Sequence, residues 1–157
     1  MKKYDLILKG ARVLDPSRNM DGVFDDAVKD GKIRGLEKEI PAEEGEKVLE
    51  VSGYLLTPGL VDMHCHIYPR FPFEEDGLPT IQGEAHMFRS GVTACVDAGT
   101  CGSRDFLQFK ESVIDRSKLK IFAFVNIASG GMVNLESEQD IQEFQPEIAA
   151  AIAGTYD

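Results

Sequence analysis

The segment Thr57-Pro58-Gly59-Leu60-Val61-Asp62-Met63-His64-Cys65-His66 sets a tight turn, a short apolar run and two histidines spaced i, i+2 within ten residues. Pro58 and Gly59 end whatever precedes them, and Leu60, Val61 and Met63 supply apolar bulk for a strand with both faces covered. On such a strand alternate side chains share a face. His64 and His66 are therefore expected to point the same way, with Asp62 below them and Cys65 opposite. Two neutral imidazoles so placed can grip one metal ion. The same pattern also describes two histidines on a half-buried strand, because zinc sites use three or four ligands.

Working back toward the N-terminus, residues 4–56 read as a small all-β unit. Short apolar runs at Tyr4–Leu8, Ala11–Leu14, Val23–Lys29, Lys32–Leu36 and Lys47–Val51 alternate with turn signals. Lys9-Gly10, Asp15-Pro16-Ser17-Arg18-Asn19, Asp30-Gly31 and Ser52-Gly53 separate them. Asp-Gly is a preferred pair for a two-residue hairpin turn, so Val28 to Ile33 is expected to form one. Pro41 to Glu46 reads as a solvated acidic loop. Two positions fit a packed sheet poorly: Asp26 falls inside a strand, and Arg34-Gly35 brings a residue with no side chain to pack.

After Pro58 the pattern changes to strands alternating with helices. Leu60–His64 leads into a loop through Tyr68, Pro69, Arg70, Phe71, Pro72 and Phe73. A helix is then expected over 80–90, with Ile81, Ala85 and Phe88 as its buried stripe and Gly91 as its stop. Val92–Asp97 reads as a second strand. Ser103 is placed to cap a helix on which Phe106, Phe109 and Val113 recur at helical spacing. Lys120–Asn126 reads as a third strand, and 139–154, with Pro146 starting a fresh turn, closes a third unit. Repeated strand and helix is a parallel α/β plan.

Composition excludes some functions. Of 157 residues, 43% are hydrophobic and 28% charged, which is ordinary for a soluble globular chain. With 27 acidic against 17 basic residues the net charge is −10, which argues against nucleic acid or an anionic membrane surface as partner. The N-terminus lacks a signal-peptide core, and no apolar run approaches a membrane span. Cys65, Cys95 and Cys101 are an odd number without C-x-x-C spacing, which suits a reducing, cytoplasmic setting; none is read as a ligand.

The opening Asp5-Leu6-Ile7-Leu8-Lys9-Gly10-Ala11-Arg12-Val13-Leu14-Asp15-Pro16, the Val28 to Ile33 hairpin, the junction from Ser52 to His66, and Gly91-Val92-Thr93-Ala94-Cys95-Val96-Asp97-Ala98-Gly99 come in a telling order. In motif, order and spacing the chain resembles the amidohydrolase superfamily of metal-dependent hydrolases, on its dihydroorotase and N-acyl deacetylase side. The resemblance implies a small β-sandwich segment over residues 1–57. It is followed over 58–157 by the first three units of a (β/α)8 TIM barrel, with the His-x-His at the C-terminal end of the first barrel strand. It further implies zinc or another divalent metal, one or two ions, held by His64 and His66. A carboxylated lysine, two later histidines and an aspartate acting as base complete the family site, and this chain has no counterpart for them. No catalytic proton-transfer residue is assigned. A bound ion of this kind acidifies water and polarises a carbonyl, which suits hydrolysis of a small-molecule amide.

Around that pair, Tyr68, Arg70, Asp97 and Asn126 are the candidate substrate-facing residues. Asp97 ends the second strand, where it can line the pocket, orient a ligating histidine or anchor its loop. Asn126 precedes Ser129-Gly130-Gly131 and can touch substrate or form a turn. Arg70 suits an anionic group or plain solvation. His86 reads as a surface histidine. In dihydroorotases the resemblance implies an arginine two residues after the second histidine; Tyr68 stands there instead, which favours a deacetylase or acyl-amide hydrolase.

A complete barrel needs about 250 residues, whereas the 100 residues from Pro58 onward suffice for three of eight units. The chain is thus expected to be a truncated barrel, inactive by itself, with unpaired strand edges. Alternatives are a non-catalytic remnant, a split half that pairs with a complementing C-terminal barrel half, a dihydroorotase-like cyclic amidase, or a stand-alone metal-binding module. A homo-oligomer is also compatible.

Overall fold

The computed structural model describes residues 2–69, 80–132 and 138–156. The chain divides into two compact units, Met1–Pro58 and Gly59–Asp157.

The first unit is a five-stranded mixed sheet. Strands β1 (Tyr4–Asp15), β2 (Met20–Lys29), β3 (Lys32–Glu37) and β4 (Gly45–Glu50) lie in the order β3-β2-β1-β4, and the short β5 (Leu55–Leu56) also pairs with β1. Two apolar runs expected as separate strands, Tyr4–Leu8 and Ala11–Leu14, are one continuous strand. Gly10 at φ 75° does not turn the chain; it sits in a bulge where the β1–β2 register slips between Leu8 and Ala11. A bulge takes up one extra residue and lets the strand run on. The expected hairpin is present between β2 and β3. Asp30 and Gly31 both take positive φ, 52° and 67°, as a turn matched to the strand twist requires.

Ile7, Ala27, Ile40 and Tyr4 form the core of this unit, with Val48 packed against them. Gly35, expected to be a packing fault, proves to be a fit. A Cβ there would lie 3.4 Å from Ala27 Cβ, Ile40 Cδ1 and the Tyr4 hydroxyl at once, so the missing side chain lets three core groups close up. Asp25 and Asp26 are both buried but differ in partners. Asp25 accepts from Lys9 Nζ at 2.6 Å, from Gly10 N at 2.8 Å and from Ile40 N at 2.9 Å. Burial works against its charge, but Lys9 and the two N–H groups outweigh it and hold the carboxyl below the usual range. Asp26 Oδ1 has no hydrogen-bond partner, and burial raises its carboxyl above the usual range.

The second unit contains a three-stranded parallel sheet, β6 (Leu60–Cys65), β7 (Val92–Asp97) and β8 (Lys120–Ala123), in that spatial order. Parallel neighbours need crossovers, and helices supply them. α1 (Gly83–Met87) and α2 (Phe106–Ser112) make these connections, and α3 (Pro146–Ala153), which opens on Pro146 as expected, follows β8. Cys65, Ile67, Tyr68, Met87, Cys95, Cys101, Phe106, Phe109 and Leu119 make one core.

Several expectations are corrected in this unit. The first helix is only one turn long before it tightens at Phe88–Ser90, and Ile81, Ala85 and Phe88 are exposed. Its inner side is Gly83 and Met87, at i, i+4, because Gly83 lies against Leu119 and Ile67, where a Cβ would come within 3.3–3.4 Å. Gly91, at φ 77°, does stop it. Ser103 does not cap α2. The helix starts after Asp105, and the Ser103 hydroxyl donates instead to Gln145 Oε1 at 2.8 Å. The third strand ends at Ala123 rather than Asn126. Finally, β6 is not covered on both faces. It pairs only with β7 among the described residues, and Val61 at 60% and Met63 at 75% exposure stay open.

Candidate metal centre

The turn at Pro58-Gly59 brings β6 tightly against β7. A Cβ on Gly59 would fall 2.0 Å from Thr93 Oγ1, so only glycine fits. Leu60 N then donates to Gly91 O at 2.9 Å, and the strand runs up to the histidines. The register slips between Asp62 and Cys65, where Asp62 Oδ1 accepts from His64 N at 3.0 Å. That slip departs from simple alternation but keeps the imidazoles together. The His64 and His66 ring centroids are 5.5 Å apart, with the ring planes at 82°. His64 is exposed and His66 half-exposed, whereas Cys65 between them is buried.

Cys65, between them, is engaged with β7 instead. Its Sγ donates to Val96 O at 3.3 Å, and burial, reinforced by neighbouring Cys95, pushes the thiol up to about 12, so it stays protonated at neutral pH. All three cysteines are free thiols.

Behind His66 lies a polar chain that the sequence reading only half anticipated. His66 Nδ1 is 3.0 Å from Thr100 Oγ1, which is 2.9 Å from Asp97 Oδ2. Asp97, fully buried at 0% exposure, also accepts from Ile67 N at 2.9 Å and from Thr100 N at 2.8 Å. Asp97 was a candidate in sequence; Thr100 was not. The turn Ala98-Gly99-Thr100 offers no spacing signal, and its bond to His66 spans 34 residues.

The other candidates are placed as follows. Tyr68 is buried at 5% exposure, its ring 4.7 Å from that of Phe109. Arg70 lies outside the described residues. Asn126, half-buried, pairs as an isolated bridge with Gly102. Its amide donates to Gly99 O and Glu138 Oε1 at 3.1 Å each, and its Oδ1 accepts from Ala128 N at 3.0 Å. Next to it, Gly102 closes on the chain so tightly that a Cβ would lie 2.1 Å from Ala128 O. Glu143 holds the same loop, accepting from the Ser129 hydroxyl and from Arg104, which lowers its carboxyl. His86 is exposed on α1.

The donor set fits part of a divalent metal site. Two imidazoles side by side, one with Nδ1 engaged by Thr100, leave Nε2 of His66 as the nitrogen that would meet a zinc-class ion. Among the described residues no cluster of three or more His, Cys, Asp or Glu gathers to hold an ion, so the pair supplies two ligands of the three or four required. Among the same residues no helix is long and apolar enough to cross a membrane.

No protein-family model matches the chain. The dihydroorotase of Geobacter sulfurreducens is 42% identical over 73 residues, 46% of this chain and 17% of that protein. The dihydroorotase of Geotalea daltonii is 32% identical over 136 residues, 85% of this chain and 31% of that protein. A crystal structure of a dihydroorotase superposes with a TM-score of 0.76 at 24% identity, over 96% of this chain and 39% of that one, which speaks for the fold. The chain thus spans less than a third of the length of these two curated relatives. A likeness extending along most of the residues, joined to a common fold and to paired imidazoles at a strand end, has a single source: the chain belongs to the amidohydrolase superfamily and covers the N-terminal portion of such a protein.

Proposed function

We propose that this chain supplies the first two metal ligands, His64 and His66, of a hydrolase that cleaves a non-peptide C–N bond of a small-molecule amide. The observation that carries the proposal is the 5.5 Å pairing of the two imidazoles at the end of β6. When bound, a zinc-class ion would supply an acidified water and a polarised carbonyl. The chain's own part is to fix two ligands and to exclude water behind them with the buried layer of Cys65, Ile67 and Tyr68. β6, β7 and β8 with their helices are, in this proposal, the first three units of a (β/α)8 barrel, whose sites lie at the strand C-terminal ends. The exposed Val61, Met63 and Phe122 on the strands, and Phe124 just after β8, are apolar residues that further barrel strands would cover.

In this proposal Asp97 and Tyr68 act from behind the ligands, Asn126 shapes the loop at the sheet end, and Arg70 is kept as a partner for an anionic substrate group. An acyl amide is the substrate class. A cyclic amide is the second reading, favoured by relatives named dihydroorotase. Against it stands buried Tyr68, where those enzymes are expected to carry a substrate-gripping arginine. Equilibrium dialysis against zinc tests the ligand assignment. The chain is expected to retain the ion, and His64→Ala and His66→Ala to lose it; equal retention by all three would overturn the proposal.

A further inference from the structure

We propose that Thr100 is the positioning residue that fixes the tautomer of His66, relaying the hold of Asp97 onto the imidazole. The inference rests on the ligand role of His66 given above, and it deepens that role by saying which nitrogen meets the metal and why.

The proton count decides it. Both oxygens of Asp97 are taken by donors: Oδ1 by Thr100 N at 2.8 Å, Oδ2 by Ile67 N at 2.9 Å and by the Thr100 hydroxyl at 2.9 Å. A carboxylate only accepts, so the single hydroxyl proton of Thr100 is committed to Asp97. Thr100 Oγ1 can then meet His66 Nδ1, 3.0 Å away, only as an acceptor. The proton of neutral His66 therefore sits on Nδ1, and the lone pair on Nε2 faces outward. The free histidine side chain in water prefers the opposite tautomer, so the protein has to impose this one. Asp97 and Thr100 are 0% and 1% exposed, which keeps competing water from both links. The same carboxylate also holds Ile67 N, so one group pins the backbone just after His66 and, through Thr100, its ring. An oriented imidazole of this kind binds metal more tightly, typically by about 10–100-fold.

The test is a long-range nitrogen–proton NMR spectrum of the labelled 157-residue chain, taken above the imidazole titration range. His66 is expected to show a protonated Nδ1 and a bare Nε2. Thr100→Val should return it to the water-preferred tautomer and weaken cobalt binding by about 10–100-fold. Thr100→Ser, which keeps the hydroxyl, should restore both. An Nε2-protonated His66 in the unaltered chain overturns the proposal, whether or not Thr100→Val folds. So does an unchanged tautomer in a folded Thr100→Val. Failure of the metal reading looks different: cobalt or zinc would leave His64 and His66 unmoved while the tautomer results stayed as expected.

Discussion

The two sheets bury their apolar residues to different degrees. In the first, Ile7 and Ala27 face a core that its own sequence completes with Ile40, Tyr4 and Val48, and turns with fixed backbone demands set the strand register. In the second, one side of the strands packs on α2 and its neighbours through Cys95 and Ile121, while Val61, Met63, Phe122 and Phe124 remain exposed. An exposed cluster of large apolar residues marks a surface that meets something else. The first sheet also leaves Val23, Ile33 and Leu55 exposed, but its core is completed within its own sequence. The second carries the proposed ligands, His64 and His66, on a strand that has one neighbour among the described residues.

That contrast can be broken by substitution. Phe109→Ala, at 0% exposure in the second core, is expected to cost about 3–5 kcal/mol, and Ile7→Ala in the first about 2–5 kcal/mol. Met63→Ala and Phe124→Ala should stay within about 0.5 kcal/mol in denaturant unfolding. A cost of several kcal/mol at Met63 would show that its face is covered and would erase the distinction between the sheets.

Within the first sheet the adjacent aspartates sharpen it. Asp25→Ala strands Lys9 and two N–H groups and should destabilise by about 3 kcal/mol at neutral pH. Because the Asp25 carboxyl is lowered in the fold, its contribution is present above the ordinary carboxylate range and is lost as pH falls through its lowered value. Asp26 works in the opposite sense. Its carboxyl is raised, so its penalty is absent below the ordinary range and grows as pH rises through the raised value. Asp26→Val should therefore stabilise by about 1 kcal/mol at neutral pH, with the gain vanishing in acid. Unfolding curves at two pH values check both signs. A gain for Asp26→Val that persists in acid would mean that packing, not charge, limits this position.

The smallest expected signal is activity. Mixed with zinc, manganese or cobalt, the chain should show no measurable amidase turnover, because two imidazoles are fewer than the ligands a catalytic centre needs. Turnover that disappears in His64→Ala would contradict this.

The elements legible in sequence were those governed by local chemistry. Asp30-Gly31 demanded positive φ and made its hairpin; Gly91 stopped its helix; Val92–Asp97 formed between its glycine and its turn. The failures had non-local causes. Gly10 looked like a turn because a bulge and a turn share the same backbone signal, and only pairing with β2 separates them. Ile81, Ala85 and Phe88 had helical spacing, but contact of Gly83 with Leu119 and Ile67 rotated the short helix to bury Met87. At the proposed metal centre the histidine pair was visible from spacing, since a strand has a period of two. Thr100 was not visible, because a hydroxyl in a glycine turn is ordinary until the fold sets it against His66.

The most direct measurement of the central claim is a zinc titration of the labelled chain followed by its three histidine resonances. His64 and His66 are predicted to shift together and saturate at one ion per chain, with His86 unchanged as the internal control. Zinc that moves His86 alone, or leaves His64 and His66 where they were, would contradict the assignment.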